Sequence, residues 1–192
     1  MDLKTRKFNL KLRDMCFVAI FTAVTAVLAQ VSIPMPLGVP LTLQTFAVLL
    51  AGIVLGAKKG ALAVVIYVLL GALGVPVFTG FQGGFAVILR HTGGFILSFP
   101  LMALCAGIGA DLRIKNIWLK NAVLASGLIA GTAINFICGM FWGKFVLDLS
   151  VMNAFMGFVM PFILTSVLQI IFAGAFGVSV KRILKKVIHL DG

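Results

Sequence analysis

Residues 41–78 read LTLQTFAVLLAGIVLGAKKGALAVVIYVLLGALGVPVF. Two apolar runs, about 41–57 and about 61–78, meet at Lys58 and Lys59, and no other charge interrupts them. A transmembrane helix takes roughly 20 mostly apolar residues, range about 17–25. Each run therefore reads as a span, the first of them short, with the lysine pair at the turn between them. The pattern recurs outward along the chain, at about 15–33 before this stretch and at about 92–110, 121–142 and 155–180 after it. The expected architecture is an all-α membrane protein with six transmembrane helices, forming a single integral membrane domain over residues 1–192. Composition agrees: 61% of residues are hydrophobic and 11% charged, where soluble domains have about 45–50% and about 25%. The basic N-terminal run leads into a span and not into a cleavage site.

A net charge of +11 would suggest nucleic acid in a soluble chain. Here the positions of the cations give another explanation. The N-tail holds Lys4, Arg6, Lys7, Lys11 and Arg13. The second connector holds Lys58 and Lys59, the fourth Arg113, Lys115 and Lys120, and the C-tail Lys181, Arg182, Lys185 and Lys186. Of the 16 Lys and Arg residues, that leaves Arg90 and Lys144 for the first, third and fifth connectors. Lys and Arg collect on the cytoplasmic side of membrane proteins, so the alternation places both termini inside. The basic balance reflects topology and anionic lipid and requires no nucleic acid. No Asp or Glu lies within the spans, with Asp14 at the inner edge of the first. Proton-coupled carriers use intramembrane carboxylates or histidines, so this chain lacks the means for ion-driven transport on its own. Cys16, Cys105 and Cys138 fall in apolar segments without metal or redox spacing and are expected to be small buried hydrophobes.

The first and third connectors are unusual. Residues 32–46 (SIPMPLGVPLTLQTF) and 72–85 (ALGVPVFTGFQGGF) are rich in Pro and Gly yet uncharged and apolar, and both contain LGVP before a Gln and a Phe. Irregular backbone persists at membrane depth only where it is buried in protein or lines a cavity. Such loops are expected to fold over a site near the outer surface. Arg90, at the start of the fourth span, is either a bidentate clamp for a ligand carboxylate or an interfacial anchor. Gln44, Thr45 and Gln82 can hydrogen-bond a polar head group, and Gly83 lies beside Gln82. Tyr67, Asn135 and Gln169 are polar groups within spans, fit for ligand or for bonds between helices. Lys144 and Asp148, four apart, are spaced to pair on a helix. Ala19 and Ala23 leave one face of the first span nearly bare, suited to close helix packing within the chain or against a partner. No nucleophile–base pair, metal cluster or phosphate loop is present, so catalytic and metal residues are expected to be absent.

Six spans with PLGVPLTLQTFAVLLAG, LLGALGVPVFTGFQGGF and TGGFILSFP closely resemble the BioY family, the biotin-specific substrate-binding (S) component of energy-coupling factor (ECF) transporters. The resemblance runs from the first span through PFILTSVLQ in the sixth. It implies the ECF S-component fold in the bacterial plasma membrane, multi-pass, and a non-catalytic protein that binds biotin from outside and has no cofactor. The implied partners are a transmembrane T component and two cytoplasmic ATPases that hydrolyse ATP. It also implies a first loop acting as a lid, Arg90 facing the ligand carboxylate, and Ala19 and Ala23 forming the docking face. One departure stands out. Ser166 and Gln169 occupy positions where family members often carry an Asp and a Lys. Losing both charges together avoids an uncompensated buried ion, and it opens an alternative ligand, another amphiphilic carboxylate such as lipoate; the alternative role is a stand-alone vitamin facilitator.

Overall fold

The computed structural model describes residues 12–35, 38–112 and 114–190. In chain order these form α1 (Leu12–Leu28), a short antiparallel ladder of β1 (Ser32–Ile33) and β2 (Leu41–Thr42), α2 (Gln44–Leu55), α3 (Ala57–Ala72), α4 (Phe85–Leu89), α5 (Gly93–Asp111), α6 (Ile117–Leu147), α7 (Val151–Phe158), a 3-10 turn at Met160–Phe162 and α8 (Ile163–Leu190). The expected all-helical class holds.

The turn between the first two apolar runs is as tight as the sequence suggests. α2 ends and α3 begins on either side of Gly56, whose φ of +83° favours glycine. A side chain at this position would also strike the carboxylate of Asp111. That carboxylate does three things at once. Its Oδ2 accepts the Ala57 backbone N–H at 2.9 Å, satisfying an orphan donor at the start of α3. Its Oδ1 pairs with Lys181 Nζ of α8 at 2.9 Å, and it ends α5 itself. Lys59 pairs with Asp14 of α1 at 2.7 Å. The basic connectors thus gather at one end of the bundle, around a groove that includes Arg13, Lys115 and Lys120, as the charge alternation requires. Lys4, Arg6, Lys7, Lys11 and Arg113 lie outside the described residues.

α2 has 12 residues, about 18 Å at 1.5 Å per residue, against a hydrocarbon thickness of about 30 Å. It survives because lipid never meets it. Every residue from Ala47 to Val54 is buried, and α1, α3, α5 and α8 pack around it. At Gly52 the backbone comes so close to the Ala103 carbonyl of α5 that a Cβ would collide with it. α5, α6 and the stretch Val151–Leu184 are long and apolar enough to cross a membrane outright. Their outward faces carry large exposed apolar side chains, among them Ile129, Phe141, Ile171 and Phe172.

Several expectations need correction. The first span stops at Leu28, because Ser32 and Ile33 pair with Thr42 and Leu41 and close the first connector into a hairpin. The fifth span is longer than expected and starts where Asn116 Oδ1 caps it by accepting the Trp118 and Leu119 N–H groups. The sixth is broken at Pro161, which cannot donate a helical hydrogen bond. Lys144 and Asp148 do not pair: Asp148 sits in a left-handed conformation (φ 48°) just past α6, off its helical face. Cys16 is exposed, while Cys105 and Cys138 are half-buried. Apolar segments in a membrane protein face lipid as readily as core, so composition did not place these thiols.

Gly52→Ala is expected to destabilise the fold by about 1–3 kcal/mol through overpacking. Gly174→Ala, where a new Cβ would meet only Leu128 at an ordinary 3.6 Å, should be neutral or slightly stabilising. Thermal unfolding of the two variants in detergent checks the contrast.

Candidate functional site

Above the N-terminus of α2 lies a cavity of about 340 Å³, within the roughly 300–1,000 Å³ usual for small-molecule sites. Its cover is the first connector. Pro34, Met35 and Val39–Leu41 line it from above, and Val39 packs with Ala154, Phe158 and Phe162 in a small apolar cluster. Among the described residues, two side chains fasten this lid to the rest of the chain. His91 Nε2 lies 3.2 Å from the Gly38 carbonyl; since a carbonyl only accepts, Nε2 carries a proton. Gln169 Nε2 donates to the Thr42 carbonyl at 2.9 Å. Pro36 lies outside the described residues.

The Thr42 carbonyl also fixes which way the Gln169 amide faces, because only its nitrogen can donate there. Its Oε1 is then buried without a hydrogen-bond partner, the one such side-chain atom among the described residues. Buried polar atoms are nearly always satisfied, so this unpartnered acceptor, on a residue that lines the cavity, stands out. Asn135, also on the wall, spends its amide protons on the Phe95 carbonyl (3.0 Å) and Ser98 Oγ (2.8 Å). Its own carbonyl oxygen is left for the cavity. Ser166 lines the same region, with Phe95, Phe99, Phe136 and Phe162 supplying apolar surface.

Arg90 is the cation of the site. It caps the C-terminus of α4 and is exposed at the cavity rim, where its Nη1 donates to Gln82 Oε1 at 2.9 Å. Its backbone carbonyl is held by the Trp142 indole N–H of α6, also at 2.9 Å. Gln82 closes a turn with Phe78 through paired backbone hydrogen bonds of 2.9 and 3.2 Å. Gln44 is buried; it donates to Tyr67 Oη at 2.7 Å and accepts from Thr79 Oγ1 at 3.4 Å.

Among the predicted site residues, Arg90, Gln44, Thr45, Gln82, Asn135, Ser166 and Gln169 converge on this cavity. Tyr67 and Gly83 do not. Tyr67 stands behind Gln44 and donates to the Val77 carbonyl at 3.2 Å, so it supports the wall without lining it. Gly83 packs flat against the Gly74 and Val75 backbone. Ala19 and Ala23 are both exposed on α1, which excludes packing within the chain as their role. The sequence reading missed His91, Trp142 and Gln30. Each acts on a backbone carbonyl at least 47 positions away, and no local spacing announces such a contact. No cluster of His, Cys, Asp or Glu fit to hold a metal occurs among the described residues.

The BioY family model matches residues 3–186. The chain belongs to the BioY family. A protein of Pyrococcus horikoshii named probable biotin transporter BioY is 42% identical over 83% of this chain and 91% of its own length. The biotin transporter BioY of Thermotoga maritima is 38% identical over 90% and 98%. A crystal structure of the S-component for biotin from an ECF-type ABC transporter superposes with a TM-score of 0.76, covering 91% of this chain and 92% of that one at 24% identity. The BioY chain is thus a multi-pass membrane protein with the S-component fold.

In this BioY chain, His91→Ala and Gln169→Leu should each loosen the lid. Amide hydrogen exchange over residues 38–43 is expected to speed up in both variants, with α5 and α6 unchanged. Unaltered exchange in the lid would show that Val39 and its apolar cluster alone hold it down.

Proposed function

We propose that this chain is the membrane-embedded S component that binds biotin from the outside for uptake by an ATP-driven ECF transporter. The observation that carries the ligand is Gln169 Oε1, an orphan acceptor in a cavity whose cation is Arg90. Biotin offers a carboxylate for the guanidinium and, at its other end, a cyclic urea with two N–H donors. Lipoate has the carboxylate, but its dithiolane ring has no donor and would leave Gln169 Oε1 unpaired. An unsatisfied buried acceptor costs about 1–3 kcal/mol, which favours biotin by roughly 5–150-fold. The uncharged pair Ser166 and Gln169 therefore suits a urea without the Asp and Lys that relatives often use.

The reading assigns no catalysis and no cofactor to this chain. ATP is hydrolysed by two cytoplasmic ATPases, and a transmembrane T component docks on the small-residue face of α1. The exposure of Ala19 and Ala23 supports that face, since two outward alanines leave a helix surface that a second helix can approach closely.

Titration of the purified chain should give a biotin Kd below about 10 μM, roughly −7 kcal/mol, with lipoate weaker by at least about fivefold. Equal affinity for the two would remove the role given to Gln169. Arg90→Ala is expected to weaken biotin by about 10–150-fold, the value of a charge-assisted hydrogen bond. For docking, Ala19→Leu or Ala23→Leu should abolish co-purification with the T component while biotin affinity stays as in the wild type; retained co-purification would move the docking face elsewhere.

A further inference from the structure

The turn that carries Gln82 is held by an unexpected residue. Gly80 and Phe81 are both left-handed, with φ of +71° and +56°. Phe81 is not glycine, and its ring is 72% exposed, so its own packing does little to fix it. A non-glycine residue persists in that region only where its surroundings over-determine it. The Phe78–Gln82 backbone pair and Tyr67, on the Val77 carbonyl, brace the turn at its base, and the side chain that bonds Phe81 itself is Gln30, two residues beyond the end of α1. Its Oε1 accepts the Phe81 N–H at 2.9 Å. Its Nε2 lies 3.2 Å from both the Val77 and the Phe78 carbonyls and 3.0 Å from the Ala26 carbonyl of α1. The amide can sit only one way round, because its nitrogen faces three acceptors and its oxygen a donor. Gln30 does not line the cavity, whereas Phe78, Thr79, Gly80 and Gln82 of this turn do. Gln82 in turn accepts from Arg90 Nη1 at 2.9 Å.

We infer that Gln30 is a positioning residue for Arg90: by clamping the backbone of residues 77–81 from α1, it sets where Gln82 stands and therefore where the guanidinium waits for the ligand carboxylate. Without the clamp the left-handed turn relaxes, Gln82 leaves its place, and Arg90, exposed and with Gln82 as its one side-chain partner among the described residues, loses its preset direction. Pre-organisation of this kind matters to binding because the cost of ordering a long side chain falls before the ligand arrives. The effect belongs to the carboxylate end alone, since Gln169 and Ser166 stand on α8, away from this turn.

The inference rests on the biotin reading of the site, and the test separates the two. Wild type and Gln30→Met, which keeps the bulk without the hydrogen bonds, are titrated with biotin and with biotinamide, whose neutral amide replaces the carboxylate. Wild type is expected to prefer biotin. Gln30→Met should lose about tenfold in biotin affinity, the size of a coupling between residues in one network, and nothing for biotinamide. In an Arg90→Ala background, Gln30→Met should then have no further effect on biotin. Equal weakening of both ligands, or additive losses in the double variant, would make Gln30 a structural prop and overturn the positioning role. Wild type binding neither ligand would sink the biotin reading itself and this inference with it. Gln30→Asn, which retains an amide one carbon short, serves for the same comparisons if the Met variant does not fold.

Discussion

The structure depends on a helix too short for its surroundings. α2 reaches about 18 Å in a layer of about 30 Å, and no polar backbone group can be left facing lipid at its ends. At one end the deficit is closed by a turn of one residue, Gly56, locked by the Asp111 carboxylate to α3, α5 and α8. At the other end the deficit remains as space, and that space is the cavity. The apolar hairpin of the first connector is then a necessity, because irregular backbone over a void in a membrane must be covered or covering. Site, lid and inner corner are three consequences of the length of one helix.

How polar groups are spent inside this bundle decides what remains for a ligand. Gln44 is taken up by Tyr67 and Thr79, Asn135 by the α5 backbone, and Thr22 Oγ1 bridges to the Ala63 carbonyl at 2.9 Å. Gln44 and Thr22 are thereby committed to neighbours, and Asn135 keeps only its carbonyl oxygen free of the protein. On Gln169 the lid occupies only the nitrogen. A single amide thus fastens the lid by its nitrogen while its oxygen stays unpartnered beside the cavity wall.

The topology was legible in the sequence because cations are confined by the bilayer, and confinement leaves an alternating record that survives errors of several residues in any span. The lid was legible for a similar reason: an uncharged Pro-rich loop has few places to exist. Arg90 stood out by scarcity. The residues that position it did not, since Gln30 and Trp142 act through backbone carbonyls of distant segments and any polar side chain in a span looks alike until its partner is known. Gly83 was drawn into the site by its place beside Gln82, and Tyr67 because it is a polar group within a span. Asp148 lost its expected partner to a single left-handed residue, a conformation that residue spacing does not encode. The family motifs reached the architecture quickly, yet the exchange to Ser166 and Gln169 acquires meaning only from the direction in which one amide points.

The distribution of charge along the helices has one more consequence. In the described residues of α1, α3, α5 and α6, each Asp, Lys and Arg lies in a terminal turn, and in α8 they fall in its last third. Moving an elementary charge through the membrane field is worth about 2.3 kcal/mol per 100 mV. With no such charge at mid-depth, the transmembrane voltage has nothing in this bundle to pull on. Rearrangement of these helices would therefore carry none of their own charges through the middle of the field.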